Sequence, residues 1–298
     1  MNRKNVSITA LALLIATTAA IAIMLGNDSS SAKNAATEIA NANIDSDAGV
    51  KPTPYVQLAA QRKIDSRYVT AANGRAFTLQ RPPIFRPPGD ALAFANGLLA
   101  ASRRGDATST YEIFLTVSDC QNAMEGAPPI ASNEPEMREF SRQEIDYFKT
   151  KLTECESLLG DPSFTSKNWL DLAAEQGSIE AKIMYSINPD HILGNVDDYS
   201  MKPEKVSEWK EKSIQYLEEA SKQGSTNALF QLSNIYENGI VASADPIKSL
   251  AYQIAYDNAK LGNPNNQRQL DLRRSLTREQ QNRAEQLSKE IFKSCCTN

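Results

Sequence analysis

The stretch EASKQGS, Glu219–Ser225, decides the fold. It sets a small residue three positions before a glycine and a hydroxyl residue directly after it. Glycine takes left-handed backbone without a Cβ clash and so ends a helix. Serine, aspartate or asparagine then caps the next helix through a side-chain oxygen. The same signature recurs as AASRRGD (Ala100–Asp106), LAAEQGS (Leu172–Ser178) and NAKLGN (Asn258–Asn263). The glycines are Gly105, Gly177, Gly224 and Gly262, followed by Asp106, Ser178, Ser225 and Asn263. Pro264 then stands at a first helical position, which suits its fixed φ. The glycine intervals are 72, 47 and 38 residues, the first about two repeats long.

The flanks agree. Seven residues before each glycine stand Leu98, Leu170, Leu217 and Ala255, and eight after stand Ile113, Tyr185, Leu232 and Leu270. These offsets place apolar residues on the inner face of each helix, two turns from the corner. The pattern predicts an all-α chain, an α-solenoid of stacked antiparallel helix pairs akin to tetratricopeptide arrays, over 90–298. The expected helices are Ala91–Arg104 with Ala107–Gln121, about Glu134–Leu159, Asp161–Gln176 with Ile179–Ile187, and Pro203–Gln223 with Thr226–Asn238. Ile247–Leu261 and Pro264–Leu272 follow. Residues 188–203 read as a long loop. Thr277 and Gln280 have capping-box spacing, opening a terminal helix over 277–294 that closes the stack.

Outside the stack, Arg3 and Lys4 precede the uncharged run Val6–Leu25. Twenty such residues span a bilayer, and Ala20-Ile21-Ala22 also offers a small-residue cleavage site. Residues 1–26 therefore read as a signal anchor or a signal peptide. In both cases the basic flank keeps the N-terminus cytoplasmic and the body on the other side, periplasmic or inner-membrane-anchored. Residues 27–89 read as a flexible, proline-containing linker, polar and Ala/Ser/Asn/Asp-rich to Val50. RPPIFRPPGD (Arg81–Asp90) reads as an extended, polyproline-like arm that serves as a stiff spacer, packs along the first repeat or binds a partner.

The segments WLDLAAEQGSIEAKIMY (Trp169–Tyr185) and YLEEASKQGSTNALFQLSNIYENG (Tyr216–Gly239) resemble Sel-one-like repeats, relatives of tetratricopeptide repeats. The shared positions are Ala220, Gly224, Ala228, Leu232, Tyr236 and Gly239, and Asp245, Ile247 and Lys248 resemble the start of the next repeat. The resemblance is best over 165–262 and loose over 90–120. The helix around 134–159 does not form a full repeat, and the loop at 188–203 replaces the usual Tyr-x-x-Gly connection. It implies an adaptor or scaffold of the bacterial-type cell envelope that binds a protein or peptide.

The net charge of −4 argues against a nucleic-acid partner. Four cysteines in an exported chain suggest disulfides. Cys120 with Cys155 is the favoured pair. Cys295 and Cys296 stay free, pair with each other or link to another chain. One histidine and scattered cysteines argue against a metal. His191, in NPDH, has no partner at motif spacing and reads as a solvated loop residue. Asp197-Asp198 and Glu218-Glu219 are not shared carboxylate sites, and no P-loop, dinucleotide fingerprint or nucleophile elbow occurs. No catalytic residue or cofactor is expected, and the chain reads as a non-enzyme. The run Arg268–Arg283, with Arg273, Arg274 and Arg278 beside Glu279 and Glu285, reads as a solvated cap face. Trp169, Trp209, Tyr216, Phe230, Tyr236, Tyr252 and Tyr256 recur at helical spacing and are mostly core. Tyr216, Tyr252 and Tyr256 are the candidate partner-binding residues. Rival readings are an accessory or regulatory subunit of an envelope enzyme, and a structural dimer linked through Cys295 or Cys296.

Overall fold

Each glycine corner begins with helix carbonyls that need new partners. In the computed structural model, which describes residues 64–82, 85–125, 142–262 and 266–297, three corners close as the signature predicts. Gly105, Gly177 and Gly224 have φ of 88°, 101° and 98°. Each donates its N–H to the carbonyl three residues back, while the next residue donates to the carbonyl five back: Gly224 to Ser221 at 2.8 Å and Ser225 to Ala220 at 3.1 Å. Ser178 and Ser225 then cap the following helices through Ala181 N and Ala228 N, and Asp106 accepts from Ser109 N. The fourth corner is shifted by one residue. Leu261, not Gly262, is left-handed there, with φ 54°, and Gly262 N reaches Asp257 O at 2.8 Å.

The chain is mostly helical. α1 (Ala91–Arg103) and α2 (Ala107–Glu125) form the first pair, and α3 (Arg142–Leu159) lies against both. The expected helix to Gln176 is two pieces, α4 (Pro162–Thr165) and α5 (Trp169–Glu175). Asn168 restarts it by accepting from Asp171 N, and Trp169 Nε1 donates back to Phe164 O. α6 (Ile179–Ile187) follows. The expected loop at 188–203 contains α7 (Asp190–Leu193) and a 3₁₀ segment, Val196–Met201. Then come α8 (Pro203–Lys222), α9 (Thr226–Asn238) and α10 (Pro246–Ala259). α11 spans Gln267–Arg274, capped by Asn266 rather than Asn263; residues 263–265 and the expected start at Pro264 lie outside the described residues. α12 (Arg278–Cys296) opens with the expected Thr277–Gln280 capping box. Contacts run in chain order: α1 on α2, α2 on α5, α5 on α6, α6 on α8, α8 on α9, α9 on α10, and α10 on α12. Ile113, Tyr185, Leu232, Leu170, Leu217 and Ala255 are buried as expected, whereas Leu270 is 38% exposed because α11 turns that face outward.

Residues 64–82 and 85–89, which fall in the segment expected as a flexible linker, are packed on the helices. A 3₁₀ turn (Ser66–Tyr68) leads into β1 (Val69–Ala71), which pairs antiparallel with β2 (Phe77–Leu79). This arm runs along the corners. Asn73 N donates to Ala259 O at 2.7 Å, Arg75 N to Cys296 O at 2.7 Å, and Phe77 N to Gly224 O at 2.9 Å. Asn227 clamps Leu79 with both amide atoms. Arg81 reaches Glu180 at 2.7 Å and lies 3.5 Å from Glu112, its guanidinium 4.1 Å over Tyr68. Further on, Arg86 and Gly89 N both bind Glu154 on α3. Glycine is required at Gly224 because an added Cβ would sit 2.7 Å from Arg75 O. Phe77, 1% exposed, anchors the arm in a core with Ile179, Leu217 and Leu232.

Cys120 and Cys155 form the expected disulfide, S–S 2.02 Å, stapling α2 to α3. Cys295 and Cys296 are bonded to each other and buried at the end of α12. Among the described residues no helix is long and apolar enough to cross a membrane. Residues 1–63, which include Val6–Leu25 and the polar tether, lie outside them, as do 126–141 and the first part of the helix expected from Glu134.

Two outcomes follow from these contacts. Phe77→Ala removes a fully buried ring and lowers unfolding free energy by about 3–5 kcal/mol, measured by urea denaturation; a loss below about 1 kcal/mol would show that the arm is not docked. Peptide mapping without reductant recovers the Cys120 and Cys155 peptides linked. Cys120→Ser lowers stability by about 3–4 kcal/mol on the chain-entropy argument for a loop of this length, and an unchanged melt counts against the bond.

Candidate functional site

A cavity among the described residues is built at the ends of α2 and α5 that lie away from the glycine corners. Phe114, Val117, Ser118, Gln121, Asn122 and Glu125 fall three or four apart on α2 and so share one face. Phe114, Val117 and Ser118 are buried as the floor, while Asn122 and Glu125 are exposed at the rim. Thr165, Lys167, Asn168 and Trp169 make a second wall. The segment Asn188–Val196, within the stretch expected as a long loop, makes the third. The space is about 560 Å³, in the range that holds a small ligand or a short peptide segment.

His191 is a wall of this groove, not a solvated loop residue. Its Nε2 lies 3.2 Å from Ser118 Oγ, and its ring meets Phe114 edge-on at 5.0 Å. Burial pushes its pKa below the usual histidine value, against the opposing pull of Asp190 and Glu125. Asp190 accepts a short hydrogen bond from Tyr199 Oη. Trp169 spends its N–H on Phe164 O, stacks on the Phe164 ring, and carries Lys167 Nζ 4.2 Å above its own ring. Several amides keep free edges. Asn168 and Asn195 use their oxygens as caps, leaving their NH₂ groups. Gln121 makes no side-chain hydrogen bond among the described residues.

Ser118 beside His191 has the look of a nucleophile and base, but two parts of that chemistry are missing. Among the described residues no carboxylate bonds the imidazole Nδ1 to hold it. Ser118 also sits inside α2, where helical hydrogen bonds consume the main-chain N–H groups that would form an oxyanion hole. The arrangement suits polar recognition. Among the described residues no three His, Cys, Asp or Glu side chains gather to hold a metal.

The residues singled out in the sequence lie elsewhere. Tyr216 is 7% exposed and packs edge-on against Tyr185 at 5.1 Å. Burial and the nearby carboxylates, Asp171 first, push its phenol up to about 12. It is buried in the core. Tyr252 and Tyr256, one turn apart on α10, are half-buried against Tyr236 and Phe230. Tyr252 borders a smaller cleft of about 260 Å³ with Glu218 and Cys295. Glu219 pairs with Lys182. The basic run is not simply solvated: Arg268 reaches Gln253, Asn234 and Glu237, and Arg273 binds Glu285 at 2.8 Å. Sequence reading missed Ser118, Gln121, Asn122 and Asn168. Two signals were present, namely the polar stripe ending α2 and the extra length at 188–203.

Comparison with known protein families, with curated proteins and with solved structures finds no match for this chain.

His191 is the single histidine, so its proton NMR titration is unambiguous. Its midpoint falls below about 6.5, the unperturbed value. Because the unfolded chain then binds the proton more readily, the associated stability is present at neutral pH and is lost as pH falls below about 6.5. A midpoint at or above that value would place His191 in solvent.

Proposed function

We propose that this chain is a non-catalytic interaction module of the bacterial-type cell envelope, an α-solenoid of Sel-one-like character that captures a segment of another polypeptide. The observation that carries this reading is the groove of Gln121, Asn168 and Asn195. Its amide edges remain uncommitted, above an apolar floor of Phe114 and Val117. Side-chain amides present a donor and an acceptor together and so complement a peptide unit. Insertions in repeat arrays collect on the binding face, and the segment 188–203 is such an insertion.

The solenoid reading is supported by three Gly-Ser or Gly-Asp corners of one geometry and by helices that pack in chain order. The Cys120–Cys155 bond suits an oxidising compartment, in keeping with a periplasmic or membrane-anchored location for the body. Burial of Cys295 and Cys296 disfavours the dimer linked through them, since neither sulfur is accessible to a second chain.

Selection of random-sequence displayed peptides on the folded protein tests the proposal. Enriched peptides are expected to bind the wild type and to lose binding to the Gln121→Ala/Asn122→Ala variant, whose exposed or half-exposed positions leave the melting temperature unchanged. Absence of any enrichment, or equal binding to both proteins, would overturn it.

A further inference from the structure

The groove's electrostatics narrow the ligand class, an inference that rests on the groove being the binding surface. Glu125 is the last described residue of α2 and Asp190 the first of α7, and both carboxylates act on His191 in the same groove. Among the described residues no cation pairs with Glu125. α6 ends here, with Asn188 directly after Ile187, so the negative end of its dipole faces the groove. Among the described residues Lys167 is the one cation on the lining, and its ammonium is held over the Trp169 ring. Two acids and the C-terminus of α6 therefore face one occupied lysine across walls of neutral amides.

We infer that the groove binds a lysine- or arginine-bearing polypeptide segment, its cationic side chain paired with Glu125 and Asp190. The amides of Gln121, Asn168 and Asn195 are placed to take the main chain of the same segment. A free anion or an acidic peptide finds only Lys167 in its favour. A neutral peptide satisfies the amides but leaves Glu125 without a counter-charge. The preference is therefore for positive charge carried on a polypeptide.

The test uses the full chain in detergent micelles and three labelled synthetic peptides that alternate serine with lysine, glutamine or glutamate, followed by fluorescence anisotropy. The lysine peptide is expected to bind tightest and the glutamate peptide weakest. Glu125→Gln and Asp190→Asn are each expected to weaken the lysine peptide by about two- to five-fold, as for partly exposed ion pairs. Neither variant changes the affinity of the glutamine peptide. Equal binding of the lysine and glutamine peptides, with both weakened by Gln121→Ala, would overturn the charge preference and leave the groove as the binding surface. Binding of the lysine peptide unchanged in both charge variants would reduce it to general attraction toward a chain of net charge −4 and overturn the site. No binding of any peptide would fail this inference and the interaction reading together.

Discussion

A helix leaves its last carbonyls without partners, and this protein meets that constraint with a strand. The arm from Ile64 to Arg81 lays its N–H groups on the ends of three helices: Ala259 of α10, Cys296 of α12, and the corner at Gly224 after α8. Arg75 adds its guanidinium to the carbonyls of Ser294 and Cys295. Farther along, Arg81 ties the corner residue Glu180 to Glu112 on α2. Elements far apart in sequence are thus held by one short segment. Phe77 buries its ring beneath the crossing, so an apolar anchor accompanies the polar ladder. Arrays of helix pairs have stability that depends on nearest neighbours; a strap crossing several corners adds contacts that skip neighbours.

The corner edge and the groove edge lie at opposite ends of the same helices. α2 begins beside Gly105 and its described residues run to Glu125, and α5 begins at the Asn168 cap and ends beside Gly177. At the corner edge glycine and small residues let backbones approach, and the arm covers them. At the other edge the connections are longer and carry their own polar side chains. The Cys120–Cys155 bond lies near that end of α2, so the floor of the groove is fixed to α3 where packing is least repetitive.

Much of the fold was legible because it rests on local rules. Gly105, Gly177 and Gly224 needed no tertiary information to be read as helix ends, and Thr277 with Gln280 needed only its spacing. The fourth corner was placed one residue late, since NAKLGN offers both Leu261 and Gly262 and the exposed Leu261 adopts the left-handed state. The arm was misread because Pro, Asn and Arg look like a linker in composition. Its order comes from hydrogen bonds to carbonyls about 145–220 residues away, which no local window contains. The burial of Tyr216 against Tyr185 was not legible because helical spacing alone does not tell the buried face of a helix from its open one.

The sequence by itself determined most of the helices, three of the four glycine corners, most of the capping residues and the favoured Cys120–Cys155 pair, because these depend on neighbours within a few turns or on oxidising chemistry. Only the tertiary structure decided that Ile64–Arg81 straps the corners and that His191 meets Ser118. It also decided that Glu125 and Asp190 face one cavity across the Asn168 wall. Those juxtapositions join residues separated by the whole length of α3 to α6, and their energies come from burial and long-range pairing that local propensity does not encode.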